Sequence, residues 1–301
     1  MNDTPHIPFD TVFIVGGTHG NERTGVALVQ HWQQRPAEVQ RETFGTQLIL
    51  ANPKAVRHNT RFIDRDLNRS FLPRQTGDST SAAYEVGRAR EIAQTFRTDD
   101  RGKRTFAIDL HTTTAQMGIT LITNTDPINL TIAAGVQTVL KGARIYCFGD
   151  GDRINSCLRA AADGGIGVEI GPIPQGVVRH DTLATTADVV QRILDILEAF
   201  NRGHLAPPDR RQPLYLHDRH VRYPEVPPGA PPVFIHQEIQ GRDYTPLHPG
   251  HPIFKDLANK VWSYEGTETR YPVFINEAAY YHENIALSLT RKVAWEALGD
   301  V

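Results

Sequence analysis

Two short apolar runs far apart in the chain each lead into a histidine, and that pairing constrains the fold more than any other feature. Residues 11–15 run into the Gly-rich turn G-G-T-H-G-N-E-R-T-G, residues 16–25, which carries His19 and Glu22, and the run T-F-A-I-D-L-H, residues 105–111, closes on His111. Short apolar runs bounded by Gly and polar residues read as buried strands, and the first is followed by helical spacing from about residue 22 to 34. Clusters at strand ends from distant sequence converge along the carboxyl edge of an open α/β sheet. Imidazole nitrogen and carboxylate oxygen are both good zinc ligands, and a catalytic zinc takes three protein ligands and leaves one position open. His19, Glu22 and His111 are therefore the candidate metal ligands. By itself H-x-x-E is a weak signal, and a histidine closing a strand is often only a satisfied core residue. The glycines flanking His19, which let backbone approach a ligand closely, and the second strand-end histidine reinforce each other.

Strand-like and helix-like segments alternate onward from there, as a βα protein requires. Strands are expected at 46–51, 105–111, 120–123 and 145–148 and around Glu169, with helices at 84–96, 128–140, 154–162 and 186–200. The helix at 154–162 is expected to stop at Gly164-Gly165. Residues 57–69, R-H-N-T-R-F-I-D-R-D-L-N-R, read as loop. Past residue 203 the composition shifts to A-P-P-D-R-R-Q-P and P-E-V-P-P-G-A-P-P, and short β-type runs replace helical periodicity. The expected architecture is an α/β catalytic domain over residues 1–203, and a smaller all-β C-terminal domain over 204–301 that contributes to the substrate pocket.

Composition excludes several functions. The formal net charge of this 301-residue chain is -2, with 22% charged residues, so no global field recruits nucleic acid or an anionic membrane. Neither a signal-like N-terminus nor a run of about 20 apolar residues is seen. Two cysteines, Cys147 and Cys157, are too few for a disulfide framework and read as inert thiols in a reducing compartment, so cytoplasm is the expected address. Self-association into a homo-oligomer stays open.

Three further places carry chemistry. Glu169 sits in the apolar, Gly-rich stretch G-I-G-V-E-I-G-P; it is either a strand-edge glutamate facing solvent or a carboxyl in a partly dry pocket, whose pKa is raised as a general base requires. Arg57, Arg61, Arg65 and Arg69 recur every four positions, but Asp64 and Asp66 interrupt any basic patch; with Asn68 they suit a carboxylate-binding site better. Arg159 is by default a surface arginine on a helix. His217/His220 and His248/His251 have ligand-like spacing but lie in the Pro-rich half without acidic partners.

The stretches GGTHGNERTG, ANPKAV, TRFIDRDLNR, DLHTTT, GVEIGPIPQGVVR and YPVFINEAAYY together resemble the aspartoacylase family, zinc amidohydrolases whose catalytic domain, with a mixed sheet, is built like the zinc carboxypeptidases. The resemblance runs from about Phe13 to Tyr281. It implies one Zn2+ per subunit on His19, Glu22 and His111, Glu169 as general base, and Arg61 stabilising the tetrahedral oxyanion. Asn68 and Arg69 match the pair that binds the substrate α-carboxylate, and Tyr280 a substrate-contacting tyrosine reaching over from the β half. Arg159 matches the arginine that binds the side-chain carboxylate of N-acetylaspartate, whereas Asn155 stands where animal enzymes carry tyrosine. The implied partner is a small anionic N-acyl amino acid, with N-acetyl-L-aspartate favoured. Other N-acyl amino acids (aromatic, mercapturate or succinylated) are the enzymatic alternative, and a non-catalytic metal-binding protein on the same fold is the rival from another class.

Overall fold

The structure is a computed structural model, and it describes residues 7–71, 82–97, 102–149, 156–230 and 232–298. Asn155 lies outside the described residues. Nine strands form one sheet: β1 (Thr11–Gly16), β2 (Gly45–Leu50), β3 (Thr105–Thr112), β4 (Gly118–Asn124), β5 (Arg144–Phe148), β6 (Gly164–Gly171), β7 (Pro213–Arg222), β11 (Tyr271–Val273) and β12 (Ile285–Ala294). Their order is β11-β12-β7-β5-β4-β6-β3-β1-β2. The strands β2, β1, β3 and β6 run parallel; β4 reverses against β6, β5 and β7 follow β4, and β12 and β11 pair antiparallel at the far edge. This is a mixed sheet.

Strand alternation sorts the residues into two layers. On one face Val12 and Ile14 of β1, Phe106, Ile108 and Leu110 of β3, and Ile166, Val168 and Ile170 of β6 are buried in one core with residues of three helices, α1 (Arg23–Gln34), α4 (Pro127–Val139) and α5 (His180–Asn201). Each such side chain contributes about 1.5–3 kcal/mol by leaving water, so this face anchors the sheet. On the opposite face Phe13, Val15 and Ala107 meet Ile92 and Phe96 of α3 (Tyr84–Phe96), in a smaller cluster. Further along β3 and β6, that second face trades apolar residues for Asp109, His111, Gly167 and Glu169. The functional residues sit there, backed by a sheet whose other side is fully packed.

The C-terminal part is all-β apart from short 3-10 turns. It forms a small antiparallel sheet of β8 (Val233–Ile235), β9 (Pro252–Asp256) and β10 (Val261–Ser263), and it also supplies β7, β11 and β12 to the large sheet. Nothing in the Pro-rich composition signals that return. Two local expectations are corrected. The helix expected over 154–162 is, where described, a 3-10 turn at Leu158–Ala161, and Gly164-Gly165 opens β6 rather than ending a helix. Arg159 therefore rides on a short turn packed against the sheet. The helix expected from residue 186 already starts at His180. Residues 57–69 begin as the end of α2 (Pro53–His58) and finish as a 3-10 turn at Leu67–Arg69, with loop between.

Candidate active site

The turn after β1 needs its glycines. Gly17 has a φ of +71°, and a Cβ on Gly20 would lie 2.1 Å from the backbone carbon of Ala55 in α2, so a side chain at either position would displace His19. His19 and Glu22 end up beside His111, with the imidazole centroids 4.9 Å apart and all three residues buried. Glu22 faces both rings. Its Oε1 lies 2.6 Å from His19 Nδ1 and its Oε2 2.8 Å from His111 Nδ1. The far nitrogens also meet carboxylates: His19 Nε2 is 3.0 Å from Asp66, and His111 Nε2 is 2.8 Å from Asp109. A neutral imidazole donates only one N–H. A neutral ring therefore satisfies Asp66 or Asp109 and leaves its Nδ1 facing Glu22 with no proton to give, so the arrangement calls either for a second proton on the ring or for a cation in its place. A cation held between the two Nδ1 atoms and Glu22 resolves this, and a carboxylate behind each ligating imidazole is the usual support of a metal site. Among the described residues these three form the one His/Cys/Asp/Glu group close enough to hold a metal ion.

Charge reinforces the geometry. Burial opposes ionisation of Glu22, yet His19 and His111 hold its carboxyl well below the usual range. Burial likewise works against a charged His111, but Asp109 and Glu22 keep its proton on well above ordinary histidine. Asp66 is held low against burial by His19 and by Arg61, and Asp109 by His111. Thr18 Oγ1 donates to Asp109 at 2.6 Å and fixes it further.

Glu169 is paired in register with His111 on the neighbouring strand, so both project from one face. It does not face solvent at an edge. Burial, with the charges of Glu22 and Glu277 nearby, pushes its carboxyl well above the usual glutamate range. No donor among the described residues hydrogen-bonds to it.

The Arg61–Arg69 loop is pinned at several points. Arg61 donates through Nε and Nη2 to Asp66, at 3.2 and 3.0 Å, and through Nη1 to Glu22 at 3.4 Å. Asn68 accepts from the Leu158 amide at 2.8 Å, which turns its amide nitrogen toward His111, 3.4 Å from Nε2. From α3, the buried Glu85 accepts the backbone N–H of Ile63, Asp64 and Arg65 at 2.7, 3.0 and 3.3 Å. One carboxylate thereby ties down the loop that carries Arg61, Asn68 and Arg69.

One cleft gathers His19, Glu22, Arg61, Asn68, Arg69, His111, Arg159, Glu169 and Tyr280, the metal-ligand, catalytic and substrate-binding candidates of the sequence. The same cleft is lined by Tyr146, Phe148, Phe274 and Glu277, which sequence reasoning missed as site residues, and by His220, which it set aside as a ligand for lack of an acidic partner. Glu277 accepts from the Thr114 amide at 2.7 Å and from the Thr113 and Thr114 hydroxyls, so it fastens the C-terminal part to the loop after β3. His220 stands 2.9 Å from Ser288 on β12, and His217 2.8 Å from the Tyr146 hydroxyl; His248 and His251 do not line the cleft. Cys147 and Cys157 are both buried, and burial pushes the Cys147 thiol up to about 12.

A buried His-Glu-His group backed by carboxylates thus shares one cleft with a raised carboxyl and three arginines. The sequence matches the succinylglutamate desuccinylase/aspartoacylase catalytic domain over residues 8–197, and the AstE/AspA barrel-sandwich hybrid domain over residues 212–292. It is 41% identical to a probable aspartoacylase of Trichodesmium erythraeum over 280 residues, 93% of this chain and 96% of that one. It is also 41% identical to an N-acyl-aromatic-L-amino acid amidohydrolase (carboxylate-forming) of Xenopus laevis over 295 residues, 95% of each chain. The crystal structure of murine aminoacylase 3 superposes with a TM-score of 0.85 at 34% identity, covering 95% of this chain and 96% of that one. The chain belongs to the succinylglutamate desuccinylase/aspartoacylase family and is an amidohydrolase, of a family that hydrolyses N-acyl amino acids.

Proposed function

We propose that the chain hydrolyses N-acetyl-L-aspartate to acetate and L-aspartate, using one Zn2+ held by His19, Glu22 and His111. The observation that carries the choice of substrate is Arg159. Its guanidinium lines the cleft, donates to the Ile122 carbonyl and the Cys157 sulfur, and forms no ion pair among the described residues. A guanidinium that makes no ion pair in a shielded cleft suits a planar carboxylate, and Arg69 with Asn68 provides for a second one. A dianionic substrate would satisfy both.

In the proposed reaction, zinc when bound supplies Lewis-acid polarisation of the acyl carbonyl and lowers the pKa of water at the site. Glu169 takes the proton from the attacking water and returns it to the amide nitrogen as the C–N bond breaks, a role for which a raised carboxyl with no competing donor is suited. Arg61, held by Asp66, offers N–H groups to the negative charge that develops on the carbonyl oxygen. Asn68 and Arg69 orient the α-carboxylate, and Tyr280 closes the cleft from the C-terminal side. Residues 1–203 would thus carry the chemistry and residues 204–301 would complete the substrate pocket. No helix among the described residues is long and apolar enough to cross a membrane, and with two buried thiols the proposed address is cytoplasmic.

A second reading has its own support: Tyr146, Phe148 and Phe274 wall the same cleft, which suits N-acyl aromatic amino acids. For the metal assignment, His19→Ala, Glu22→Ala and His111→Ala should each lose metal and activity together, since two ligands hold zinc weakly. Stoichiometric metal in all three variants after dialysis against a mild chelator would put the centre elsewhere.

A further inference from the structure

We propose that Gly167 is a specificity-determining residue: lacking a side chain, it seats the Arg159 guanidinium on the sheet and so sets the preference for substrates with a second carboxylate. The proposal rests on the reading that Arg159 takes that carboxylate. Along β6 the residues Gly165, Gly167 and Glu169 alternate on the cleft side, while Ile166, Val168 and Ile170 belong to the helix-facing core. The Arg159 side chain lies across the two glycines. A Cβ on Gly165 would come within 3.1 Å of Arg159 Cβ and 3.4 Å of its Cγ, and a Cβ on Gly167 within 2.5 Å of Nη1 and 3.5 Å of Cζ. The stem crosses the first glycine and the head rests over the second.

Neighbouring strands complete the seat. Ile122, the register partner of Gly167 on β4, accepts from Arg159 Nη1 at 2.9 Å. Asp109, the register partner on β3, is near enough for its charge to be felt, but its two oxygens are taken by Thr18 and His111. The guanidinium is positioned without being neutralised. Strand rise then separates Gly167 from Glu169 by roughly 7 Å on the same face, a spacing that suits a second carboxylate a few bonds from the scissile amide.

The two glycines are not equivalent. A methyl at 165 would meet the Ala107 carbonyl oxygen at 2.9 Å, which is sheet backbone, whereas a methyl at 167 first meets the far end of a flexible side chain. Gly167→Ala should therefore displace the cation and leave the strand in place. Specificity constants for N-acetylaspartate and the monoanionic N-acetylleucine, measured on the metal-loaded wild type, Gly167→Ala, Arg159→Ala and the double variant, test this as a cycle. The expected result is a ratio lowered about tenfold or more in Gly167→Ala, mainly through KM, as for a charge pair pulled apart, with no further fall when Gly167→Ala is added to Arg159→Ala. An unchanged ratio in Arg159→Ala overturns the reading of Arg159 itself, and this proposal with it. A shifted ratio in Arg159→Ala with an unchanged one in Gly167→Ala overturns the role of Gly167 alone, as does a Gly167→Ala loss that persists in the double variant. Should Gly167→Ala fold poorly, the same comparison in an Ile122→Gly background, which removes the Ile122 Cβ that lies 3.4 Å from the new methyl, decides between these outcomes.

Discussion

Glu169 owes its character to strand parity. One step along β6 in either direction would turn the carboxyl into the helix-packed core; at 169 it lies beside His111, buried and close to two other carboxylates. Glu169→Gln should keep the fold and the metal but lower turnover by about 10² to 10⁴, the usual contribution of a placed general base. The sign of the pH effect follows from the raised pKa: below it the carboxyl is protonated and idle, so kcat/KM should rise with pH along a limb displaced above the ordinary glutamate range. A limb unmoved by Glu169→Gln would assign it to another group. At this scale the His19, Glu22 and His111 group was legible because two strand-end signals, each weak alone, reinforce each other. Asp66 and Asp109 were not. Their role lies in facing a ring nitrogen, and sequence spacing does not encode which way a ring turns. Arg159 looked like a surface residue for a related reason, since only the bare backbone of Gly165 and Gly167 lets it lie on the sheet.

Among the elements, α3 does more than cover the sheet. Glu85 in its first turn collects three consecutive backbone N–H groups of the loop that carries Arg61, Asn68 and Arg69, and also accepts from Asn52 Nδ2 at 3.1 Å. Glu85→Gln replaces one acceptor oxygen with a donor facing those N–H groups. It should loosen the loop, raising KM and lowering kcat together while zinc content stays at the wild-type level; wild-type kinetics would show that the loop holds itself. The sequence placed α3 at 84–96 correctly but showed nothing of this anchor, because the buried carboxylate reads as one more charge on a mixed surface helix. The error over 154–162 has a different cause. Arg159, Ala160 and Ala161 favour helix locally, but Gly164-Gly165 belong to a central strand, and strand pairing with β3 outweighs the local preference of the few residues before it.

For the whole molecule, the alternation of strands and helices made the α/β class readable, and the proline-rich stretch past residue 203 made the change to all-β readable. The return of β7, β11 and β12 to the large sheet was not, since strand pairing across such sequence distance leaves no periodic mark. That return carries Phe274, Glu277 and Tyr280 to the cleft. Asp243 helps hold it there by accepting the amides of Gln116 and Ile275, each at 3.1 Å, and burial pushes its carboxyl from 3.8 up to about 6. The folded state therefore binds this proton more tightly than the unfolded one, and the stabilisation it brings is full below pH 3.8 and lost as pH rises through about 6. Thermal unfolding of wild type and Asp243→Asn across that window should show curves that differ in slope; parallel curves would remove the assignment. The proposed preference for a dianionic N-acyl amino acid joins residue, element and molecule. A competition assay offering the zinc-loaded wild-type enzyme equal amounts of N-acetylaspartate and N-acetylphenylalanine tests it most directly: aspartate should be released first and in excess, and preferential release of phenylalanine would contradict the account.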